Sequence, residues 1–166
     1  MQTLEQLREQ DRRAEADPGP VGLGGWLVLP VFAMLAAPIT AAVTLSEIWP
    51  LAWEPALSAA QRLVIWFELV ANTLVKVVAP VGLLVVFFQR KRIFPLLCVT
   101  WLAAGVTVML LDLLFVYQAF RAYYDSPGVV FWDQQIQRDL GSAVFGAAIW
   151  IPYMLNSKRV RNTFVN

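Results

Sequence analysis

One long apolar stretch, residues 64–88, carries three polar side chains on a single face. Its sequence is VIWFELVANTLVKVVAPVGLLVVFF, which as a helix is long enough to cross the roughly 30 Å hydrocarbon core of a bilayer. Glu68, Asn72 and Lys76 follow one another at i, i+4 spacing, so a helix places them along one narrow face. A lysine near the bilayer midplane costs about 2.5–3.5 kcal/mol, so it is expected to face protein or water. The stretch therefore predicts a membrane helix whose polar face packs against the rest of the chain.

The composition is that of a membrane protein. Hydrophobic residues make up 58% of the 166 residues and charged residues 15%, whereas roughly 45–50% apolar residues are usual in soluble domains. The formal net charge of +1 gives no support to nucleic-acid binding. The chain has no histidine, and its single cysteine, Cys98, lies in an apolar run. An internal disulfide, a histidine triad and a histidine-containing zinc site are thus excluded, and we expect neither a metal nor a cofactor.

Hydropathy predicts four membrane spans, at residues 26–45, 64–88, 94–117 and 140–155. Residues 22–166 would then form a four-helix transmembrane domain. The last span is only about 24 Å long as a helix, which is short for a bilayer core. Residues 1–21 are polar and net acidic, which predicts a solvated cytoplasmic leader and not a cleaved signal peptide.

The distribution of cations predicts the orientation of these spans. Outside the spans, nine Lys and Arg residues fall on one side of the membrane and three on the other. The positive-inside rule then places both termini in the cytoplasm. The expected fold is therefore all-α and polytopic, an antiparallel bundle of four transmembrane helices.

Proline and turn signals mark the ends and interior of the second span. Glu54-Pro55 is a plausible helix start, because proline is favoured at the first helical position. Pro80 lies inside the span and removes a backbone hydrogen bond, so it is expected to kink the helix below Lys76. Pro38 has the same effect in the first span, where both a static kink and a hinge fit the sequence.

The third span adds an acidic residue to the polar set. Asp112 shares a helical face with Trp101 and Gly105, and the glycine would allow another helix to approach closely. Because the second and third spans are expected to run in opposite directions, Asp112 and Lys76 can lie at similar depth. We expect the two to pair, directly or through one water.

A candidate intramembrane polar site therefore comprises Glu68, Asn72, Lys76 and Asp112. Asn72 would bridge the depth between Glu68 and the pair, because an amide both donates and accepts. Ionisable groups inside membranes mark functional sites by default. A purely structural pair is the alternative, and the sequence leaves both open.

Aromatic residues flank the turn at residues 125–128, between the third and fourth spans. They include Tyr123, Tyr124, Phe131 and Trp132. An interfacial belt is the simpler interpretation, since Trp and Tyr concentrate at membrane surfaces. A ligand- or partner-binding surface is the alternative.

Two motifs near the ends of the chain resemble those of a known family. The motifs are Gly24-Gly25-Trp26-Leu27-Val28-Leu29-Pro30 near the start, and Trp150-Ile151-Pro152-Tyr153, Ser157-Lys158-Arg159-Val160 and Thr163-Phe164 near the end. On these residues, the chain from about Gly22 to Val165 resembles the bacterial four-span membrane family catalogued as domain of unknown function 2569. The resemblance implies a multi-pass protein of the bacterial inner (cytoplasmic) membrane with no established activity.

Both motifs are predicted to lie at the cytoplasmic face, where they would form one cluster. A docking site for a partner is one explanation, and helix capping with interface anchoring is another, because Trp, Tyr and Arg are expected at helix ends. The candidate residues of this interface or partner motif are Gly25, Trp26, Pro30, Pro152, Tyr153, Ser157, Lys158 and Arg159.

Three functional interpretations follow from these observations. A non-enzymatic accessory or interaction protein is favoured, because spans fill most of the chain and no catalytic motif occurs. A transporter-like protein that binds a small solute, an ion or a lipid through the intramembrane charges is the alternative. An intramembrane enzyme is the weakest, because there is no histidine and no nucleophile with a base. The expected partners are the lipid bilayer and either a membrane protein or a second copy of the chain, with no nucleic acid.

Overall fold

The computed structural model of the chain describes residues 22–165, whose regular structure is all helical. Its helices are α1 (Val28–Ile48), α2 (Ala59–Phe88), α3 (Phe94–Ala119), α4 (Arg121–Tyr124), α5 (Gln134–Asn156) and α6 (Lys158–Thr163), with 3₁₀ turns at Gly25–Leu27 and Trp49–Trp53. No strand occurs among the described residues, so the all-α prediction is confirmed. The predicted leader, residues 1–21, lies outside them.

Three helical stretches are long and apolar enough to cross a membrane: Gly25–Trp53, Ala59–Phe88 and Phe94–Ala119. They contain the first three predicted spans and indicate a membrane protein. Within residues 22–165, α5 does not reach the same hydropathy. Its first turns, QQIQRD, are polar, and the apolar part that follows is short.

The long helices pack in chain order, with α2 against both α1 and α3, and α3 against α5. One apolar cluster contains residues from or next to the four long helices α1, α2, α3 and α5 and from α6. We call it the closed-end core. Its buried members are Leu27, Met34, Leu83, Phe87, Phe94, Cys98, Met154, Val160 and Phe164. The ring of Phe94 stacks on that of Phe164 with 4.6 Å between centroids. The segment after α5 therefore folds back and seals this end of the protein.

A second cluster ties the end of α1 to the start of α2 at the opposite end of these helices. It contains Ile48, Ala52, Ile65 and Leu69, with Phe120 packed against it. The contact with Phe120 brings the end of α3 to the same place, so the second cluster fixes the other end of the α1, α2 and α3 group.

Helix α2 begins at Ala59, four residues later than the Glu54-Pro55 signal predicts. Ser58 explains the difference, because it forms a capping box with Gln61. The Ser58 hydroxyl accepts from the Gln61 backbone N–H at 3.3 Å, and the Gln61 side chain accepts from the Ser58 N–H at 3.0 Å. A reciprocal cap satisfies two free donors and outweighs the preference of proline for a first turn.

Helix α2 also changes its winding ahead of Pro80. Residues Thr73–Val78 are π-helical and lie between α-helical parts at Ala59–Asn72 and Ala79–Phe88. The sequence predicts a kink at Pro80 and not this π segment, which lies ahead of the proline and contains Lys76.

Candidate functional site

The four residues of the predicted polar set lie where α2 faces α3. Glu68 and Asn72 are on the first α-helical part of α2, Lys76 is in the π segment, and Asp112 is on α3; all four are half-buried. The two helices approach closely at Gly105, where an added Cβ would stand 3.8 Å from the Val75 side chain. A contact at that distance is ordinary van der Waals packing, so the glycine face of α3 is the face that meets α2.

The three charges of this set share one neighbourhood. Lys76 acts electrostatically on both Glu68 and Asp112, and the two carboxylates act on each other. Within residues 22–165, however, none of the three forms an ion pair. The structure thus places Lys76 near two carboxyl groups without direct contact with either.

One oxygen of Asp112 stands out chemically. Its Oδ1 atom is buried and has no hydrogen-bond partner among the described residues. A buried acceptor without a donor costs about 1–3 kcal/mol, and such atoms in native proteins commonly mark a bound water, ion or functional group. Asp112 therefore has an acceptor atom that can bind a water or a polar ligand.

Asn72 does not bridge the charges. Its side-chain Nδ2 donates to the backbone carbonyl of Glu68 at 2.9 Å, one turn earlier in its own helix. Thr73 makes the same kind of bond to Leu69 at 2.8 Å. Both side chains therefore satisfy carbonyls of α2 beside the π segment, where the regular helix ladder is altered.

The polar set extends to the loop that follows α3. Burial raises the pKa of the Tyr124 phenol, and the nearby charges of Asp133 and Glu68 add to the effect. The ring of Tyr124 packs edge-on against Phe131 with centroids 4.8 Å apart. Glu68 is thus the member of the set that acts electrostatically on Tyr124. The sequence marks Tyr124 only as part of an aromatic group and does not link it to Glu68.

The two end motifs meet in space. Arg159 Nη1 donates to the carbonyl of Gly24 at 3.2 Å. The Thr163 hydroxyl accepts from the Gly22 N–H at 3.1 Å and is 3.3 Å from the Gly22 carbonyl, to which it can also donate. The segment that precedes α1 is therefore tied to α6 by polar contacts across more than 130 residues of chain.

Gly25 occupies a position in this cluster that favours glycine. Its φ of +64° is left-handed, and an added Cβ would overlap the Arg159 guanidinium. Thr163 is buried and central to the cluster, yet it is absent from the residues predicted for the site. Its occurrence in the Thr163-Phe164 motif was the signal that could have found it.

The other predicted motif residues separate into two groups. Pro30 is buried, Ser157 precedes α6 without a side-chain capping bond, and Tyr153 packs on the closed-end core. Trp26, Pro152 and Lys158 are exposed. The cluster is thus a structural clasp formed by Gly22, Gly24, Gly25, Arg159 and Thr163, with the exposed residues around it.

No group of three or more His, Cys, Asp or Glu side chains suited to a metal ion occurs in the described part of the chain. Comparison with known proteins gives neither a matching curated protein nor a matching solved structure. A family profile with the description "Protein of unknown function (DUF2569)" matches residues 20–165. Since the match covers nearly the whole sequence, the chain belongs to the DUF2569 family.

Proposed function

We propose that this chain is a non-enzymatic interaction protein of a bacterial inner membrane, which presents one face of α5 to a transmembrane helix of a partner. The observation that carries the proposal is the open face of small residues on α5. The partner is a different membrane protein or a second copy of the chain, and the experiment below separates the two.

Helix α5 is packed on one side only. Ala147 and Met154 are buried on the side toward the protein, whereas Gly141, Ser142 and Ala148 are exposed. An added Cβ on Gly141 or on Gly146 would meet no atom within 4 Å. Small residues let two membrane helices approach closely, because backbone packing replaces the hydrophobic effect that is missing in lipid.

The hydropathy of α5 supports the same conclusion. Its polar first turns and short apolar part make it a weaker span than α1, α2 and α3. A helix of this kind is better accommodated beside protein than beside lipid, because a neighbouring helix can hydrogen-bond its Gln and Ser side chains.

Photo-crosslinking from α5 in native membranes tests the proposal. A crosslinker at Phe145, which is 68% exposed, is expected to yield one defined adduct, and Gly146→Leu should abolish it by filling the open face. Gly82→Leu is the matched control, since a Cβ on Gly82 also meets nothing within 4 Å. Mass spectrometry of the adduct distinguishes a partner from a dimer. Adducts with lipid alone would refute the proposal.

The proposed architecture is a four-span antiparallel bundle with both termini in the cytoplasm. The turn between α2 and α3 carries the exposed cations Arg90, Lys91 and Arg92, and it joins the closed-end core through Phe87 and Phe94, which pack with Phe164 near the basic α6. Clustering of cations at one end supports this orientation by the positive-inside rule. Reporter fusions at Pro127 and after the last residue should report outside and inside respectively, and the reverse pattern would reject the topology.

The alternative function is binding of a small solute, an ion or a proton at the charged set. The buried, partnerless Oδ1 of Asp112 favours it, since an ionisable group inside a membrane with a free acceptor marks a binding site by default. Binding of a solute would stabilise the folded protein against heat. That stabilisation should disappear in Asp112→Asn, whereas a non-specific effect would persist in the variant.

A further inference from the structure

A groove with a volume of about 350 Å³ lies between the first two apolar helical stretches. Leu45 and Trp49 line one wall, and Trp66, Val70, Thr73 and Leu74 of α2 line the other. From Trp66 to Leu74 it extends about 12 Å along the helix axis. The groove opens on the outer surface of helices that are long and apolar enough to cross a membrane. In a membrane, lipid covers that surface.

The body of the groove requires no polar group from its occupant. Thr73 is the single side chain with a hydroxyl among these residues, and that hydroxyl already donates to the Leu69 carbonyl at 2.8 Å. The remaining lining is aliphatic or aromatic. An unbranched hydrocarbon chain meets this chemistry without leaving a buried donor or acceptor unsatisfied.

One end of the groove is rich in hydrogen-bond donors. Trp49, Trp53 and Trp66 contact one another edge-to-face, with centroids 5.8–6.3 Å apart. In the part of the chain that the structure describes, none of their indole N–H groups donates to a protein acceptor. A tryptophan N–H is a donor with no acceptor capacity, so three donors are available at this end.

Arg62 adds a positive charge at the same end. It lies one turn before Trp66 on α2, is exposed, and uses Nη2 to donate to the Glu54 carbonyl at 3.3 Å. No ion pair neutralises it among residues 22–165. The Glu54 carboxylate in turn accepts from the Ala56 N–H at 3.4 Å. The remaining guanidinium N–H groups are free to bind an anion.

We propose that this groove binds one acyl chain of a glycerophospholipid, with Arg62 and the tryptophan N–H groups binding the phosphate and ester oxygens of its headgroup region. The proposal rests on the membrane-spanning arrangement and not on the open face of α5 or the charged set. A phospholipid has an apolar chain joined to a region of anionic acceptors, which matches an apolar groove with donors at one end. A transmembrane helix of a partner, about 10 Å wide, has no region of anionic acceptors. It would therefore leave these donors without hydrogen-bond partners.

Titration of the full-length chain in detergent with dioleoyl phosphatidylglycerol, followed by native mass spectrometry, tests the groove. Val70→Trp should fill it and abolish the tightest binding event. Val78→Trp is the matched control, because Val78 is similarly exposed on α2, at 56% against 53%, and lies outside the groove. Circular dichroism and elution volume establish that both variants are folded. If Val70→Trp does not fold, Leu74→Trp fills the same groove. Tight binding retained in a folded filled-groove variant would overturn the proposal.

A second arm tests the donor end. Arg62→Gln should weaken phosphatidylglycerol binding about tenfold, as expected for loss of a charge-assisted hydrogen bond, and should leave dioleoylglycerol binding unchanged because that lipid has no phosphate. Arg121→Gln, which removes an exposed cation on α4, is the control. Equal binding of the two lipids by the wild type, or the same loss in the control, would refute the assigned role of Arg62.

Discussion

The indole N–H of Trp101 on α3 donates to the backbone carbonyl of Val75 on α2 at 2.7 Å. The bond follows from the winding of α2. In the π segment the N–H of Ala79 bonds to the Leu74 carbonyl, five residues back. The next residue, Pro80, has no N–H to give to Val75 in that register. The third helix therefore supplies the donor that the proline cannot.

This bond fixes α2 against α3 beside Lys76, which directly follows Val75. An unpaired carbonyl inside a membrane has no water to accept from, so the indole is the means by which a non-α segment is tolerated there. π segments occur frequently at functional sites. The position of Lys76 thus depends on a contact made by a neighbouring residue to another helix.

Loss of the Trp101 bond should destabilise the protein. Trp101→Phe keeps an aromatic ring but leaves the Val75 carbonyl without its donor, which is expected to lower the free energy of unfolding by about 1–3 kcal/mol. Unfolding in bicelles by steric trapping measures this. Trp132→Phe is the control, because Trp132 is exposed and its indole donates to no protein acceptor within the described chain. Equal effects in the two variants would remove the assigned role of the bond.

The same account predicts coupling between Trp101 and Pro80. In Pro80→Ala, residue 80 regains an N–H that can satisfy a carbonyl of the preceding turn, so Trp101→Phe should cost less in that background. A double-mutant cycle is expected to give an interaction free energy of at least about 0.5 kcal/mol. Additive effects would show that the proline and the indole act independently.

Gly25 offers a sharp test of the clasp. Gly25→Ala forces a left-handed backbone on a residue with a Cβ and displaces the Arg159 guanidinium, so we expect a loss of about 1–3 kcal/mol. Gly24→Ala is the neighbouring control, because its Cβ would meet nothing within 4 Å and its φ is −91°. Thermal unfolding in detergent compares the two. A similar loss in both would indicate a general sensitivity of the segment and not a specific contact at Gly25.

Much of this arrangement could be predicted from the sequence because it depends on local periodicity. Hydropathy and length identify the first three spans, and the 3.6-residue period places Asp112, Gly105 and Trp101 on one face of α3. The partner of Trp101 could not be predicted, since the free carbonyl of Val75 arises only once the π segment forms. Hydropathy likewise shows that α5 is less apolar than the three candidate spans but does not reveal which of its faces remains open.

The clasp shows the same limit. The sequence predicts that the first and last helices run in opposite directions. This alone is enough to predict that the two end motifs meet. The pairing of Arg159 with Gly24, and of Thr163 with Gly22, depends on how α6 folds back under the closed-end core. That fold-back depends on burial of Phe164, a long-range effect that residue spacing does not encode.

The stability of the protein should depend on the hydroxyl group of Thr163 and not on its methyl group. Thr163→Val preserves the shape of this buried side chain but leaves the Gly22 N–H without its partner, with an expected cost of about 1–3 kcal/mol. Thr163→Ser retains the hydroxyl and should recover most of the stability. Limited proteolysis of the C-terminal segment provides the measurement. Faster cleavage of the serine variant than of the valine variant would contradict the assignment.

The last prediction concerns Lys76 and Asp112, which are expected to contribute unequally to stability. Lys76 is the cation that acts on both Glu68 and Asp112, so Lys76→Met leaves two carboxylates facing each other. A fully buried pair that loses one partner is destabilised by about 3–5 kcal/mol, and for these half-buried groups we expect about 1–3 kcal/mol. Asp112→Asn leaves one carboxylate with one ammonium and should cost little. In the double variant the cost should be smaller than in Lys76→Met alone.

The test compares the unfolding free energies of Lys76→Met, Asp112→Asn and the double variant in the same bicelles. Arg121→Met is the control for loss of an exposed cation. The expected order makes Lys76 the residue that permits the carboxylates to remain in the membrane. If Asp112→Asn is instead the costlier change, the charge of Asp112 must be used in the folded state. Since its Oδ1 has no partner among the described residues, that use would have to come from a bound proton, water or cation, and the alternative function would then be favoured over a structural role.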